Sequence, residues 1–217
     1  MKKNNWLDIV NKSRGRGKRQ DLSMMNQLLA SIGHPEKEIK YIHLAGTNGK
    51  GSTGTYITSI LREAGYHVGL FTSPHLETIS ERIRIDDELI DLADFERLME
   101  IVAKEAIAIE AMIDGRYSAF ELITAVAFLY FAERKEEVDV VVLEAGVGGK
   151  VDGTNAIPAE NVYASVVTSI GLDHMGVLGK TEVAIAGQKA GIFKPGVPAF
   201  IGEFTPEVAE VFENRAA

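Results

Sequence analysis

Short apolar runs alternate along this chain with longer segments of helical periodicity, and this alternation constrains the fold more than any other feature. The runs are rich in β-branched residues, as buried strands are, and they span residues 41–45, 67–72, 138–145, 162–170 and 197–201. Apolar stripes at helical spacing occupy residues 22–32, 56–64, 92–113 and 119–134. Such alternation favours right-handed βαβ units. The sequence therefore predicts an α/β fold with three layers: a P-loop-type, mainly parallel sheet with helices on both faces.

Polar residues follow the predicted strands at the points where the strands end. Ser73 comes after the second strand, Glu144 closes the third, and Asp173 and His174 follow the fourth. A glycine-rich turn follows the first strand and consists of Gly46, Thr47, Asn48, Gly49, Lys50, Gly51 and Ser52. Because ligands of open parallel sheets bind beyond the carboxyl ends of the strands, we expect these residues to share one site.

A glycine-rich turn between a strand and a helix is typical of a phosphate-binding loop. Glycines let the backbone curl so that N–H groups point at phosphate oxygens, and the helix adds its positive dipole end. Lys50 is placed to reach the β- and γ-phosphates, and the Ser52 hydroxyl to approach Mg²⁺. The match to the pattern G-x-x-x-x-G-K-[ST] fails at Leu44 and Gly51. The turn predicts binding of ATP with Mg²⁺; the alternative is an ordinary turn with a surface lysine.

The composition excludes several other classes of function. The net charge is −8, from 23 basic and 31 acidic side chains, which disfavours general binding of nucleic acid. The absence of cysteine excludes a disulfide framework, a thiolate zinc site and a cysteine nucleophile. No apolar run approaches the ~20 residues that cross a bilayer, so we expect a cytoplasmic protein without membrane partners. The basic residues from Lys12 to Arg19 are interpreted as a solvated loop.

Several blocks of the sequence together resemble one known family. The turn Gly46-Thr47-Asn48-Gly49-Lys50-Gly51-Ser52 is similar to the phosphate loop of the folylpolyglutamate synthases and dihydrofolate synthases, which are relatives of the Mur peptide ligases. The glycine at position 51 separates this branch from the Mur branch, whose loop resembles G-T-[NK]-G-K-T. Further blocks follow in the order of the family at residues 71–76, 80–83, 119–124, 143–152, 170–174 and 188–192.

The resemblance implies an ATP-dependent ligase. Enzymes of this family phosphorylate a carboxylate to an acyl phosphate, which the amine of L-glutamate attacks to form an amide, with release of ADP and phosphate. The acceptor is a folate, dihydropteroate or both, so the expected small-molecule partners are ATP, L-glutamate and one of these pterins. Positioning and metal electrostatics supply most of the catalysis in such a reaction. A monomer is expected.

The resemblance also implies roles for the residues at the strand ends. Ser73 and Glu144 are expected to bind Mg²⁺, and His174 and Lys189 a second Mg²⁺, with Lys189 carbamylated so that it becomes an anion. Lys50, His174 and Lys189 form the expected catalytic set, and Asp173 is expected to orient His174. Taken singly, the same positions are also compatible with a turn serine, a buried salt bridge, a structural histidine and a solvated lysine.

Three further residues align with positions of the family that bind the pterin. Ser118 and Phe120 match a Thr-x-Phe-Glu element in which serine here replaces threonine, and Asp152 lies in the block at 143–152. An aromatic residue at such a spacing more often belongs to a core. Lys150 stands where arginine is frequent, and because the two side chains are not equivalent at bidentate sites, no oxygen-clamping role is assigned to it.

The domain organisation also follows from the resemblance. The family protein has a C-terminal glutamate-binding domain with an Asp-Gly-Ala-His-Asn-Pro block that does not occur here, so residues 1–217 are interpreted as the N-terminal ATP-binding domain. We expect this chain to bind Mg·ATP without ligating glutamate by itself. A domain of a Mur-type peptide ligase and a non-catalytic Mg·ATP-binding fragment stay open as alternatives. The sequence does not distinguish dihydrofolate synthase, folylpolyglutamate synthase and the bifunctional enzyme.

Overall fold

The computed structural model describes residues 10, 11, 21–113 and 115–216, so the basic segment at 12–19 lies outside the described residues. The strands are β1 (Tyr41–Ala45), β2 (Val68–Phe71), β3 (Ile83–Ile85), β4 (Glu88–Leu89), β5 (Val140–Glu144), β6 (Val162–Val167) and β7 (Ala199–Ile201). The helices are α1 (Ser23–Ser31), α2 (Lys50–Glu63), α3 (Leu92–Glu110), α4 (Ala119–Ala132), α5 (Met175–Leu178), α6 (Glu182–Lys189) and α7 (Pro206–Ala216). None of the helices in these ranges has the length and apolarity that crossing a bilayer requires.

The strands form one sheet in the order β4-β3-β2-β5-β1-β6-β7. The five strands β2, β5, β1, β6 and β7 are parallel, while β3 and β4 pair in antiparallel fashion at one edge. Leu44 near the end of β1 lies between Glu144 of β5 and Val166 of β6. The predicted mainly parallel sheet is therefore confirmed, and the carboxyl ends of β2, β5, β1 and β6 lie side by side.

Successive residues of the central strands face opposite layers of helix, as strand geometry requires. Tyr41 and Leu143 belong to a large core that they share with α1, α3 and α4. Leu44 and Val142 point to the other face, where they pack with α2. There Gly54 faces the sheet: a Cβ at this position would lie 3.4 Å from Leu44 and 3.6 Å from Val142, which is ordinary contact. The predicted three-layer arrangement, with helices on both faces, is confirmed.

The antiparallel hairpin of β3 and β4 was not among the predicted elements. The two strands have 3 and 2 residues, which is too short for a periodic pattern to be recognised. The turn between them places Asp86 and Asp87 at φ values of 50° and 69°, a left-handed conformation that aspartate tolerates better than most residues. The Asp86 carboxylate also accepts a hydrogen bond from the N–H of Val68, at 2.9 Å, which fastens the hairpin to β2.

Several predicted boundaries were wrong by two or three residues. The strand expected at 162–170 ends at Val167, because the ladder continues only through the N–H of Thr168, and Ser169 and Gly171 bond instead to the glycine-rich turn after β1. The helices expected to end at 113 and 134 end at Glu110 and Ala132, where apolar periodicity continues into turns. The change at β6 matters most, since it gives the neighbouring turn a set of hydrogen-bond partners.

Candidate functional site

The glycine-rich turn joins the end of β1 directly to the start of α2. Gly49 is the N-cap residue with a φ of 81°, and the helix begins at Lys50. At Gly46 a side chain does not fit, because a Cβ would lie 1.9 Å from Oγ1 of Thr168. The first N–H groups of α2 therefore point out of the carboxyl edge of the sheet. With the helix dipole, they make this turn a site for an anion such as phosphate.

Lys50 lies over the turn rather than in solvent. Its Nζ donates to the carbonyl oxygen of Gly46 at 3.0 Å and to that of Thr47 at 3.4 Å. The same Nζ lies 3.8 Å from Oε1 of Glu144. The ammonium thus stands between the phosphate-binding turn of β1 and the acidic end of β5. The alternative of a solvated surface lysine does not describe this position.

Glu144 is a buried carboxylate with an unsatisfied oxygen. The side chain is 4% exposed, and Oε2 has no hydrogen-bond partner within the described part of the chain. Burial raises the pKa of Glu144, while Lys50 and the backbone N–H of Ser73 act in the opposite direction. The buried salt bridge considered for Glu144 thus exists, but it occupies only one oxygen. A free, buried carboxylate oxygen is the kind of ligand that a hard cation satisfies.

Two positions of the predicted loop lie beside that carboxylate. A Cβ at Gly51 would be 3.7 Å from Oε2 of Glu144, which is ordinary contact, so the first turn of α2 approaches the acidic group closely. Ser52 is exposed on the same turn. Ser73 lies just beyond the end of β2, and its backbone N–H donates a hydrogen bond that favours the charged form of Glu144. The turn, Lys50, Glu144 and Ser73 therefore converge as the strand-end rule predicted.

Lys189 reaches the same turn from the end of α6. It is 4% exposed, and its Nζ donates to the carbonyl oxygen of Gly46 at 2.7 Å. Burial first, and repulsion by Lys50 second, lower the pKa of Lys189 to about 8. Lys189 does end a short helix, but the interpretation of its side chain as solvated is wrong. Gly46 accepts from both lysines, so two ammonium groups meet at one carbonyl oxygen.

His174 lies on the exposed loop after β6, next to Asp173, whose carboxylate raises the pKa of Lys189 and so partly opposes the effect of burial. It has a left-handed φ of 47° and precedes α5, and its Nε2 is 3.6 Å from Oδ2 of Asp173. Among the residues that the structure describes, no three histidine, aspartate or glutamate side chains converge on a metal position. A cation at Glu144 would take its other ligands from hydroxyl groups, phosphate oxygens or a modified Lys189. A bare Lys189 ammonium would instead repel it.

The three predicted pterin-binding residues have well-defined partners within the protein. Ser118 is the N-cap of α4 and forms a capping box with Glu121: its Oγ accepts from the Glu121 N–H at 3.2 Å and donates to Oε2 at 2.8 Å. Phe120 lies against Gly146, where a Cβ would come within 2.7 Å of its ring. Pterin binding by Ser118 and Phe120 stays a prediction.

Asp152 holds the loop that follows Glu144. One carboxylate oxygen accepts from the N–H of Val147 at 2.9 Å, and the other accepts from the N–H and hydroxyl of Thr154 at 3.1 and 2.6 Å. The side chain is buried, which raises its pKa, and these hydrogen bonds oppose that rise. Asp152 thus fixes the loop at the carboxyl end of β5, and a contact with pterin stays a prediction.

Residues of the segment 168–171, which were not among the predicted site residues, bond to the glycine-rich turn. The N–H of Thr47 donates to the carbonyl oxygen of Ser169 at 2.8 Å, and the hydroxyl groups of Thr168 and Ser169 bond to the backbone of Asn48. The signal was available, since these residues follow a strand just as the predicted site residues do. Assigning them to the strand itself concealed it.

Comparison with known proteins gives a consistent result. The family model for the Mur ligase middle domain matches residues 44–202. The chain is 44% identical over 200 residues to the dihydrofolate synthase/folylpolyglutamate synthase of Bacillus subtilis, covering 92% of this chain and 46% of that protein. It is 42% identical over 194 residues to the folylpolyglutamate synthase of Lacticaseibacillus casei, covering 88% and 44%. The chain thus spans about half the length of these curated relatives.

Solved structures agree with the sequence comparison. A folylpolyglutamate synthase in complex with AMPPCP and folate superposes with a TM-score of 0.86 at 38% identity, covering 97% of this chain and 51% of the other. Escherichia coli FolC in complex with DHPP and ADP gives 0.84 at 32% identity, covering 98% and 49%. The matched region contains the glycine-rich turn and the ends of β5 and β6 described above. The chain belongs to the Mur ligase middle-domain family.

Proposed function

We propose that this chain forms the ATP-binding part of a ligase that adds L-glutamate to a folate or to dihydropteroate through an acyl phosphate. One observation carries the proposal: Lys50 and the buried, half-satisfied Glu144 meet at a glycine-rich helix N-terminus. Relatives with 38% and 32% identity were solved with AMPPCP and folate, and with DHPP and ADP. Because the matched relatives are about twice as long, the ligase activity is proposed for a whole protein of that kind.

In this mechanism the residues of the chain bind and orient the triphosphate. The N–H groups at the start of α2 hold the phosphate oxygens, and Lys50 neutralises charge on the β- and γ-phosphates. Glu144 and the Ser73 hydroxyl would hold Mg²⁺, which when bound offsets the negative charge of the transferring phosphoryl group. Lys50 lies 3.8 Å from Glu144, so the ammonium that would contact the phosphates and the carboxylate that would hold Mg²⁺ are neighbours.

A carbamate on Lys189 is the finer part of the proposal. Two ammonium groups at the carbonyl oxygen of Gly46 are unfavourable beside a cation, whereas a carbamate turns one of them into an anion. The modified Lys189 would then hold a second Mg²⁺ together with His174. Incubation with ¹³C-bicarbonate should give a carbamate carbon resonance in NMR that Lys189→Met lacks. A spectrum without that resonance, at saturating Mg²⁺ and AMPPCP, would contradict the carbamate.

The substrate class is tested by ligand-dependent thermal stabilisation, since a ligand that binds only the folded state raises its midpoint. Dihydropteroate, tetrahydrofolate and a muramyl peptide are each added with Mg²⁺ and AMPPCP. The proposal predicts additional stabilisation by one or both pterins and none by the muramyl peptide. Stabilisation by the muramyl peptide alone would assign the chain to a Mur-type peptide ligase. An unfolding midpoint that AMPPCP does not change would contradict both ligase assignments.

The expectation that residues 1–217 do not ligate glutamate unaided is tested separately. ADP release that requires both a pterin and L-glutamate would refute it. A monomeric state, a cytoplasmic location and the absence of nucleic-acid partners stay predictions from the sequence. Size-exclusion chromatography with light scattering tests the first of these directly.

A further inference from the structure

We infer that Thr168 and Ser169 are positioning residues that hold the glycine-rich turn in its phosphate-binding shape, an inference that rests on the proposed function. They belong to the segment 168–171, which we call the brace. The brace follows β6 and runs alongside the turn after β1, its neighbour in the sheet. None of its residues was assigned a role by the sequence or by the resemblance.

The backbone of the brace continues the β1–β6 ladder for one step and then changes partners. The N–H of Thr168 donates to the carbonyl oxygen of Ala45 at 3.0 Å, as in a regular strand. Next, the N–H of Thr47 donates to the carbonyl oxygen of Ser169 at 2.8 Å. Beyond this point the turn curls away towards α2, so further pairing has to come from side chains.

Two hydroxyl groups supply that pairing at Asn48. Oγ of Ser169 accepts from the N–H of Asn48 at 2.9 Å and lies 3.0 Å from its carbonyl oxygen. Oγ1 of Thr168 donates to the same carbonyl oxygen at 2.7 Å. The backbone N–H and carbonyl groups of Asn48, an exposed loop residue, are thus both bound by side chains of the brace. Without them, water would satisfy these groups in many loop conformations.

The other end of the brace forms hydrogen bonds to the turn at a second position. Oγ1 of Thr47 donates to the carbonyl oxygen of Gly171 at 3.2 Å and accepts from its N–H at 3.1 Å. Next to these attachments, Gly46 leaves no room for a Cβ beside Thr168. The turn is therefore tied to the brace on both sides and packed against it. The brace leads within two residues into Asp173 and His174, so it also sets where that loop begins.

This arrangement has a consequence for affinity. A loop that is held in its binding conformation before the ligand arrives loses less conformational freedom on binding. Removing the Ser169 hydroxyl frees the N–H of Asn48 and should weaken triphosphate binding by about tenfold, the equivalent of one hydrogen bond. Thr168→Val, which keeps the shape but not the hydroxyl, should act in the same direction. Neither side chain touches the phosphates in this account; each acts through the turn.

The experiment compares Ser169→Ala, Thr168→Val and the rescue variant Ser169→Thr in the 217-residue chain. Ser59→Ala, an exposed serine near the other end of α2, is the matched control. Affinity for Mg²⁺ and AMPPCP is measured by calorimetry. Hydrogen exchange of the backbone amides at 46–50 is measured without nucleotide, and the unfolding midpoint shows that each variant is folded.

Three results support the inference: weaker binding of AMPPCP by Ser169→Ala and Thr168→Val, faster exchange at Asn48 in Ser169→Ala, and recovery of both in Ser169→Thr. Unchanged exchange at Asn48 in Ser169→Ala overturns it, whatever the affinity. Faster exchange with unchanged affinity also overturns it, because the turn would then need no brace. If the wild type binds no AMPPCP, the proposed function fails, while the exchange data still decide whether the brace holds the turn.

Discussion

Acidification should destabilise this fold through His43, a fully buried residue of β1. Its Nε2 lies 2.8 Å from Oγ1 of Thr154, and that hydroxyl donates its proton to Asp152 at 2.6 Å. Nε2 must therefore carry the proton, which makes the ring neutral with an unprotonated Nδ1. Nδ1 is buried and has no partner within the described residues. Protonation would place an uncompensated charge in the core, and burial, followed by repulsion from Lys194, lowers the pKa of His43 to about 3.

The size of the effect follows from linkage. The ordinary pKa of histidine is 6.5, so between pH 6.5 and about 3 the unfolded chain binds a proton that the folded chain does not. Stability is then full above pH 6.5 and falls as the pH decreases. One pKa unit corresponds to ~1.4 kcal/mol, so His43 alone should remove about 2 kcal/mol of unfolding free energy between pH 7 and pH 5.

Urea unfolding of the wild type and of His43→Gln at pH 7, 6 and 5 measures this. Glutamine keeps a donor for Thr154 and does not titrate, so the difference between the two proteins isolates the histidine from the carboxylates. The wild type should lose about 2 kcal/mol more than the variant over this range. Parallel pH dependences would refute the assignment of a neutral, buried His43.

Three substitutions test other parts of the structure. Gly191→Ala should destabilise the fold by about 1–3 kcal/mol, because its Cβ would lie 2.4 Å from Cα of Lys150. Gly187→Ala, on the open side of α6, should instead stabilise it by up to ~1 kcal/mol. Urea unfolding measures both, and equal effects of the two substitutions would contradict the packing at Gly191. Glu81 accepts hydrogen bonds from the N–H groups of residues 76–78, which lower its pKa to about 2. The stability that the Glu81 carboxylate contributes is present above pH 4.5 and is lost as the pH falls through 2. Glu81→Gln should speed hydrogen exchange of the amides at 76–78 at pH 7. Unchanged exchange would refute the role of Glu81 in holding this loop.

The sheet and the position of the site could be predicted because both depend on local patterns. Alternating apolar runs predict the parallel strands, and the rule for strand ends predicts that Lys50, Glu144 and Ser73 lie together. The family resemblance added Lys189, which no local pattern selects. Its helix of eight residues is polar enough to suggest a solvated position, yet the side chain is buried against Gly46.

What the sequence did not reveal depends on contacts between distant residues. The brace bonds to the turn across 120 or more positions of the chain, and a serine after a strand is normally interpreted as a turn former. The capping box of Ser118 and Glu121 was different, because its S-x-x-E signature can be recognised locally. Pterin binding by Ser118, which the resemblance implies, stays a prediction beside this role as a helix cap.

The central claim is that the chain binds ATP with Mg²⁺ at the glycine-rich turn beside Lys50 and Glu144, and calorimetric titration with AMPPCP tests it most directly. Binding to the wild type in Mg²⁺ should weaken by at least about tenfold in EDTA. Lys50→Met should lose affinity in either buffer, whereas Glu144→Gln should bind in Mg²⁺ no better than the wild type does in EDTA. Equal affinity in Mg²⁺ and EDTA, with Glu144→Gln unchanged, would contradict the claim that this buried carboxylate holds the metal.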